Sequence, residues 1–341
     1  MSFKKILLAP LLWFTFNASA QTVKNFYFVE PETKNLPVFI RGNLSSNKIL
    51  LFVQGGSAEN GIDFGRSDYP NWKNSLETKV AIAYFDQRGL NRPVKKIDTT
   101  KINSAQSLKD IILIAQSLKE KYHAEIYLFG HSNGGKKVLD CLALLTEDSK
   151  FIKAGIAFNT AITTDFSQER FTHYRPLYLE NLAKEFIEEK KDTTYWQEAL
   201  DWMTKTDSIY DRESSKQWNL YVDKAYNPSK RKTTVGMVFK VVFSKPYNPI
   251  KYLNNKDNQC VADILWEAER GFNRWELLSK INHPILLLTG RFDPIATLEE
   301  QVEGNRLMPN SELVILLECA HESFLDQPAL FEDAILEFIN N

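Results

Sequence analysis

The chain of 341 residues is 43% hydrophobic and 12% aromatic, enough apolar mass to bury a sizeable core and too much for a disordered polymer. With 42 basic against 43 acidic residues its formal charge is -1 at pH 7, which gives no electrostatic footprint for a polyanion and implies no nucleic-acid partner. Three cysteines without a C-x-x-C or Cys/His ligand spacing leave room for at most one intrachain disulfide and imply no metal site.

The first twenty residues, MSFKKILLAPLLWFTFNASA, run from a basic pair (Lys4, Lys5) through an apolar stretch, Ile6 to Phe16, to a small-residue exit at Ala18-Ser19-Ala20. That order predicts an export signal over 1–20, cleaved after Ala20, and a mature chain that is periplasmic or secreted. The apolar stretch is too short to span a bilayer comfortably and no later one is long enough, so no stable membrane insertion is expected after cleavage.

Next, "NFYFVEP" and "LPVFIRG" are short β-rich runs joined by a turn and predict a hairpin. Six continuous apolar runs follow: "KILLFVQGG" (48–56), "KVAIAYFDQRG" (79–89), "AEIYLFGHS" (124–132), "KAGIAFNT" (153–160), "HPILLLTGRFD" (283–293) and "ELVILLE" (312–318). Strands covered by helices on both faces have this character. Amphipathic stretches lie between or after them, such as 104–122 and 323–339, with apolar residues three and four apart. The expected fold class is therefore α/β, a mostly parallel sheet flanked by helices.

Residues 161–280 break the alternation, being rich in Trp, Tyr and Phe with Lys and Glu, and "LENLAKEFIEEKKDTTYWQEALDWMTK" (179–205) reads as helical. This interval is expected to be an inserted, mainly helical lid between a first core segment (21–160) and a second (281–341). Within it, "YNPSKRKTT" (226–234) reads as an exposed loop and "VGMVFKVVF" (235–243) as either strand or buried helix.

Gly130-His131-Ser132-Asn133-Gly134 sits where a buried strand run meets the helical pattern "GGKKVLDCLALL". G-x-S-x-G gains meaning in this strand-turn-helix setting, where a tight turn lifts a serine hydroxyl above the sheet edge. A hydroxyl is a weak nucleophile at neutral pH and requires a base, oriented by an acid. Of five histidines only His321 follows the last predicted strand, and Asp293 directly follows the one before it. The order Ser132, Asp293, His321 at successive strand ends makes these three the candidate catalytic set. An oxyanion needs backbone N–H donors. Asn133, just after the serine, and Gly56, in the glycine pair of "VQGGSAENG", are the candidates.

The chain resembles the α/β-hydrolase fold family over nearly all of its mature length, and within that family the proline iminopeptidase group of serine peptidases. The likeness rests on "LPVFIRGN", "LLFVQGGSAENG", "AYFDQRG", "GHSNGG", "GRFDPIA" and "CAHESF". It implies hydrolysis of an acyl bond of a small-molecule or short-peptide substrate through an acyl-serine intermediate, without metal or cofactor, with release of an N-terminal residue in the peptidase members. In that family lid carboxylates neutralise the substrate ammonium, and Glu267 and Glu269 in "LWEAERGF" are candidates, although surface helices are full of glutamates. The sequence departs from the group at Gln54-Gly55-Gly56-Ser57-Ala58 and at Gly89-Leu90-Asn91-Arg92-Pro93, segments near the expected substrate site. Two other readings remain open: a carboxylesterase or lipase-like enzyme with the same triad, and a non-catalytic binding protein on a hydrolase scaffold.

Overall fold

The computed structural model describes residues 22–33, 35–56, 58–68, 70–90, 98–164, 167–226, 256–268 and 272–341. The expected leader (1–20), most of the 226–234 loop and the 235–243 run lie outside these residues.

Eight strands form one sheet in the order β1-β2-β4-β3-β5-β6-β7-β8. The first two, β1 (Thr22–Glu30) and β2 (Asn35–Asn43), are the antiparallel hairpin, and β2 meets β4 antiparallel. The other six are the six apolar runs: β3 (Lys48–Val53), β4 (Ala81–Phe85), β5 (Glu125–His131), β6 (Ile152–Phe158), β7 (Ile285–Gly290) and β8 (Ser311–Leu316), all paired in parallel.

Side chains alternate across a strand, so a continuous apolar run supplies two cores at once. Ile49, Leu51, Val53, Ala81, Ala83, Ile126, Leu128, Ile285 and Leu287 pack on one face beneath α2 (Ser104–Tyr122) and α3 (Asn133–Leu144). Leu50, Phe52, Ile82, Tyr84, Phe129, Ile156, Leu286 and Leu288 pack on the other, against Ile62 of α1 (Gly61–Ser67) and against Phe331, Ile335 and Ile339 near the C-terminus.

Between β6 and β7, helices α4 (Arg175–Glu188), α5 (Thr193–Met203) and α6 (Arg212–Ala225) share an apolar cluster of their own, built on Tyr178, Leu182, Trp196 and Trp218. It reaches the sheet edge through Phe292, onto which Tyr226 also stacks. The continuous helical pattern at 179–205 is in fact broken. Lys190 takes φ +57 after α4, and Lys191 N–H donates to Phe186 O at 2.8 Å while Lys190 N–H donates to Ile187 O at 3.0 Å. This left-handed helix ending is usually made by glycine; a lysine in its place gives no sequence signal.

A further helix of that interval, α7 (Lys256–Ala268), packs Val261 and Leu265 against Leu90 and Ile102, next to Ala58. After α8 (Trp275–Leu278) and α9 (Leu298–Leu307), the stretch 323–339 also splits, into α10 (Ser323–Asp326) and α11 (Pro328–Asn340). Pro328 cannot donate an N–H and restarts the helix at its first turn.

The Asp86-Gln87-Arg88-Gly89 segment is consumed by scaffolding. Asp86 Oδ1 accepts the Ile62 N–H in the first turn of α1 (3.1 Å), Gln87 Oε1 accepts from Lys137 Nζ (2.9 Å), and the Arg88 guanidinium clamps Asp110 of α2 and Glu30 of β1 at 2.8 Å each. Arg88, by hydrogen bonding Glu30, lowers that carboxyl to about 2. This segment, one of those that carry the peptidase resemblance, thus fastens the hairpin and the α2 layer.

Candidate active site

Strand β5 ends at His131 and α3 begins at Asn133, which leaves Ser132 alone to make the reversal. Its backbone sits at φ 52, ψ -120, a conformation that costs a residue with a β-carbon about 1–3 kcal/mol and persists only when its surroundings enforce it. The Ser132 N–H donates to Phe158 O at 3.0 Å, and its carbonyl accepts from the Gly135 N–H at 3.0 Å. The neighbouring glycines make the close approach sterically open. A β-carbon on Gly134 would strike the Val53 carbonyl, one on Gly135 the Thr160 hydroxyl, and one on Gly130 would lie 2.5 Å from the Gly134 main chain.

Parallel strands deliver their C-terminal ends to one edge, and the loops after β3, β5, β6, β7 and β8 meet there. The structure brings the three predicted side chains together at this edge. Ser132 Oγ is 3.1 Å from His321 Nε2, and His321 Nδ1 is 2.9 Å from Asp293 Oδ2 and 3.1 Å from Oδ1. Asp293 has no solvent exposure, and its Oδ1 also accepts the N–H groups of Ile295 (2.8 Å) and Ala296 (2.9 Å).

Burial opposes the Asp293 charge, but the adjacent His321 ring, its hydrogen bond, and those from Ala296 and Asn159 outweigh it and hold the carboxyl below its usual pKa. Burial likewise opposes protonation of His321, yet the charge and hydrogen bond of Asp293 raise it above an ordinary histidine. An ionised Asp293 facing Nδ1 fixes the proton on that nitrogen and leaves Nε2 as an acceptor toward the Ser132 hydroxyl.

Two residues to which the sequence reading gave no role complete the cluster. Asn159, fully buried at φ +47 just past β6, donates through Nδ2 to Asp293 Oδ2 (2.9 Å) and to the Ala320 carbonyl (3.0 Å), while its Oδ1 accepts from Ser323 Oγ. It ties the acid loop to the histidine loop. Its signal was present as the polar end of "KAGIAFNT", at the same sheet edge as Ser132. His131 packs between Phe158 and Phe324, and its Nε2 donates to the His321 carbonyl at 3.1 Å. Burial, then the neighbouring His321 charge, push His131 down to about 3, so it stays neutral at working pH as a fixed donor.

The Asn159 bonds suit a positioning role, and Asn159→Gly, which suits the positive φ, is expected to lower kcat about 10- to 100-fold while KM stays within about threefold. Steady-state kinetics on any hydrolysed ester checks this; an unchanged kcat would leave Asn159 a purely structural residue.

The expected oxyanion donors lie in the two loops that meet at the serine. Asn133 opens α3, so its amide has no acceptor within the helix and stands at the positive end of the helix dipole. Its side chain reaches across, with Nδ2 donating to Gly56 O at 2.9 Å, and so binds the 54–60 loop to the turn. Gly56 is at φ +64, and Gly55 lies against the serine, where an added β-carbon would be 3.4 Å from Ser132 Cβ.

Glu267 is exposed near the end of α7. At 100° per residue it falls on the helix face opposite the Val261 and Leu265 contacts with Leu90 and Ile102. Glu269 lies outside the described residues. A groove of about 1020 Å³ runs along α2 from Glu30 to Phe151 and contains none of the triad, so chemistry rather than volume locates the site. Among the described residues no group of three or more His, Cys, Asp or Glu side chains is arranged to hold a metal ion.

Comparison with known proteins adds the following. The family model described as alpha/beta hydrolase fold matches residues 48–328. Solved structures of similar fold include a serine hydrolase involved in carbazole degradation (TM-score 0.58, 15% identity, 94% of this chain and 99% of that one). Also similar are an esterase from Rhodococcus sp. ECU1013 (0.56, 16%, 94% and 98%) and MenH from S. aureus (0.53, 18%, 93% and 97%). At such identities the likeness is one of fold alone. Among curated proteins, a search by sequence finds no significant match.

Proposed function

The chain belongs to the α/β-hydrolase fold family, and from that premise we propose that it is a serine hydrolase cleaving acyl bonds of small substrates through an acyl-Ser132 intermediate. The observation that carries this reading is the continuous relay from Ser132 Oγ through His321 to a fully buried Asp293.

In the first half-reaction Ser132 attacks the acyl carbon while His321 Nε2 takes its proton, and Asp293 stabilises the imidazolium that forms. Charge develops on the former carbonyl oxygen, where the amides of Gly56 and Asn133 would receive it. His321 then gives its proton to the leaving group, and a water activated by the same nitrogen releases the acid and regenerates the serine. A binding protein has no need of a base whose tautomer is fixed toward a strained serine, and this weighs against the non-catalytic alternative.

Within this class the proposal is an aminopeptidase-like enzyme acting on short peptides, for which support comes from the likeness of "AYFDQRG" to the proline iminopeptidase group, the triad motifs "GHSNGG", "GRFDPIA" and "CAHESF" supporting the wider family. The carboxylesterase reading uses the same relay, and esterases occur among the proteins of similar fold. Aminoacyl amides and short peptides assayed beside simple acyl esters separate the two. Release of an N-terminal residue is the expected result, and hydrolysis of esters with no aminoacyl amide cleaved under any condition would assign the protein to the esterases.

A further inference from the structure

Phe292 stands between Arg291 and Asp293 on the loop after β7, and three parts of the molecule meet at it. Its N–H donates to the Cys319 carbonyl at 2.9 Å, on the loop that carries His321. Its ring packs against the apolar cluster of α4, α5 and α6 and stacks with Tyr226, 5.3 Å between centroids and 13° between planes. The next residue along the chain is the acid of the relay.

A half-buried phenylalanine is ordinarily core packing and nothing more. The surroundings of Phe292 give it a further role, because the same helices grip the acid loop on both sides of Asp293. On one side Arg291 forms an ion pair with Glu185 of α4. On the other, Arg170, almost fully buried just before α4, donates to the Ile295 carbonyl at 2.7 Å, and Ile295 is one of the two residues whose N–H groups Asp293 Oδ1 accepts. Tyr178 of α4 lies near enough that, after burial, the Asp293 charge pushes its phenol up, yet its hydroxyl has no hydrogen-bond partner among the described residues. The helices thus act on the acid through its loop and not by bonding to it. The partly exposed ion pair is the weakest of these ties, since charges in contact with water gain little from each other, and the apolar contact of Phe292 is the stronger grip.

We propose that Phe292 is a positioning residue for the relay, the joint through which the helices between β6 and β7 hold Asp293 against His321. The inference rests on the serine-hydrolase reading above and gives those helices a share in catalysis.

The test follows labelling of Ser132 by a neutral fluorophosphonate as a function of pH, which requires no knowledge of the substrate. Labelling needs neutral His321, and the charged or titratable groups that face it are Asp293, Glu322, Arg170, Glu59 and the buried His131. Phe292→Ala keeps all of them. It is expected to slow labelling at the optimum about 10-fold and to move the acid limb about half a pH unit lower, because a carboxylate held less closely raises His321 less. Phe292→Leu, which keeps the apolar contact, should label within about threefold of wild type with its limb in place. Glu185→Arg and Arg291→Glu, each of which sets like charges together, should slow labelling about two- to fivefold, and the double exchange should restore it. A Phe292→Ala protein that melts lower but labels at the wild-type rate, or that labels more slowly with an unmoved limb, overturns the inference and leaves the hydrolase reading intact. Where Phe292→Ala does not fold, single reversals that label like wild type overturn it. Absence of labelling in wild type would instead remove the hydrolase reading, and this inference with it.

Discussion

Replacing Ser132 with alanine is expected to lower kcat by about 10⁵-fold or more and to abolish fluorophosphonate labelling, while leaving the fold in place. Among the described residues the hydroxyl of Ser132 makes one side-chain hydrogen bond, to His321 Nε2. Alanine keeps the β-carbon and hence the strained backbone at φ 52. A second variant separates strain from chemistry: Ser132→Gly should be equally inactive but more stable than Ser132→Ala by about 1 kcal/mol, because glycine tolerates the positive φ. Label incorporation read by mass, with thermal melts of the two variants, checks both halves. Labelling that survives in Ser132→Ala would place the nucleophile elsewhere.

The second large effect is expected at Asp293, where exchange for asparagine should reduce kcat about 10⁴-fold with binding retained. Asparagine can still accept the Ile295 and Ala296 amides through Oδ1, but its NH₂ group would then face His321 Nδ1. The proton is driven to Nε2, and the ring presents a donor to a hydroxyl that must itself donate. The same NH₂ meets Asn159 Nδ2, whose Oδ1 is already occupied by Ser323, so that site cannot invert to accommodate it.

The pH profile carries the sign. In the proposed mechanism activity requires neutral His321, whose pKa Asp293 raises, so the wild-type rate should fall on the acid side with a midpoint above that of an ordinary histidine. With the carboxylate gone, burial and the Arg170 charge, which lower the pKa, are opposed only by the lesser influence of Glu322, so the residual activity of Asp293→Asn should lose its acid limb at lower pH than wild type. A limb that does not move would mean that another group sets it.

Much of this architecture could be read in one dimension. A strand buried on both faces must be apolar at consecutive positions, so six uninterrupted runs announce a covered parallel sheet, and the ends of parallel strands share an edge. Once "GHSNGG", "GRFDPIA" and "CAHESF" are assigned to strand ends, Ser132, Asp293 and His321 have to lie near one another. Helix endings were less legible. The break after α4 depends on Lys190 in a conformation for which lysine has no preference, whereas Pro328 carried its own signal.

Local pattern thus determined the layers, the strand identities and the three residues of the relay, because periodicity and turn chemistry are properties of neighbours in sequence. The tertiary structure alone decided what lies around them. Asn159 joins the Asp293 and His321 loops, the Asp86-Gln87-Arg88 segment fastens the scaffold, Glu267 lies on the face of α7 opposite its contacts with Leu90 and Ile102, and Glu59 lies on Gly56. Each depends on which side chains from remote segments come within hydrogen-bond or van der Waals distance, and such distances are set by packing in three dimensions, on which spacing along the chain has no purchase.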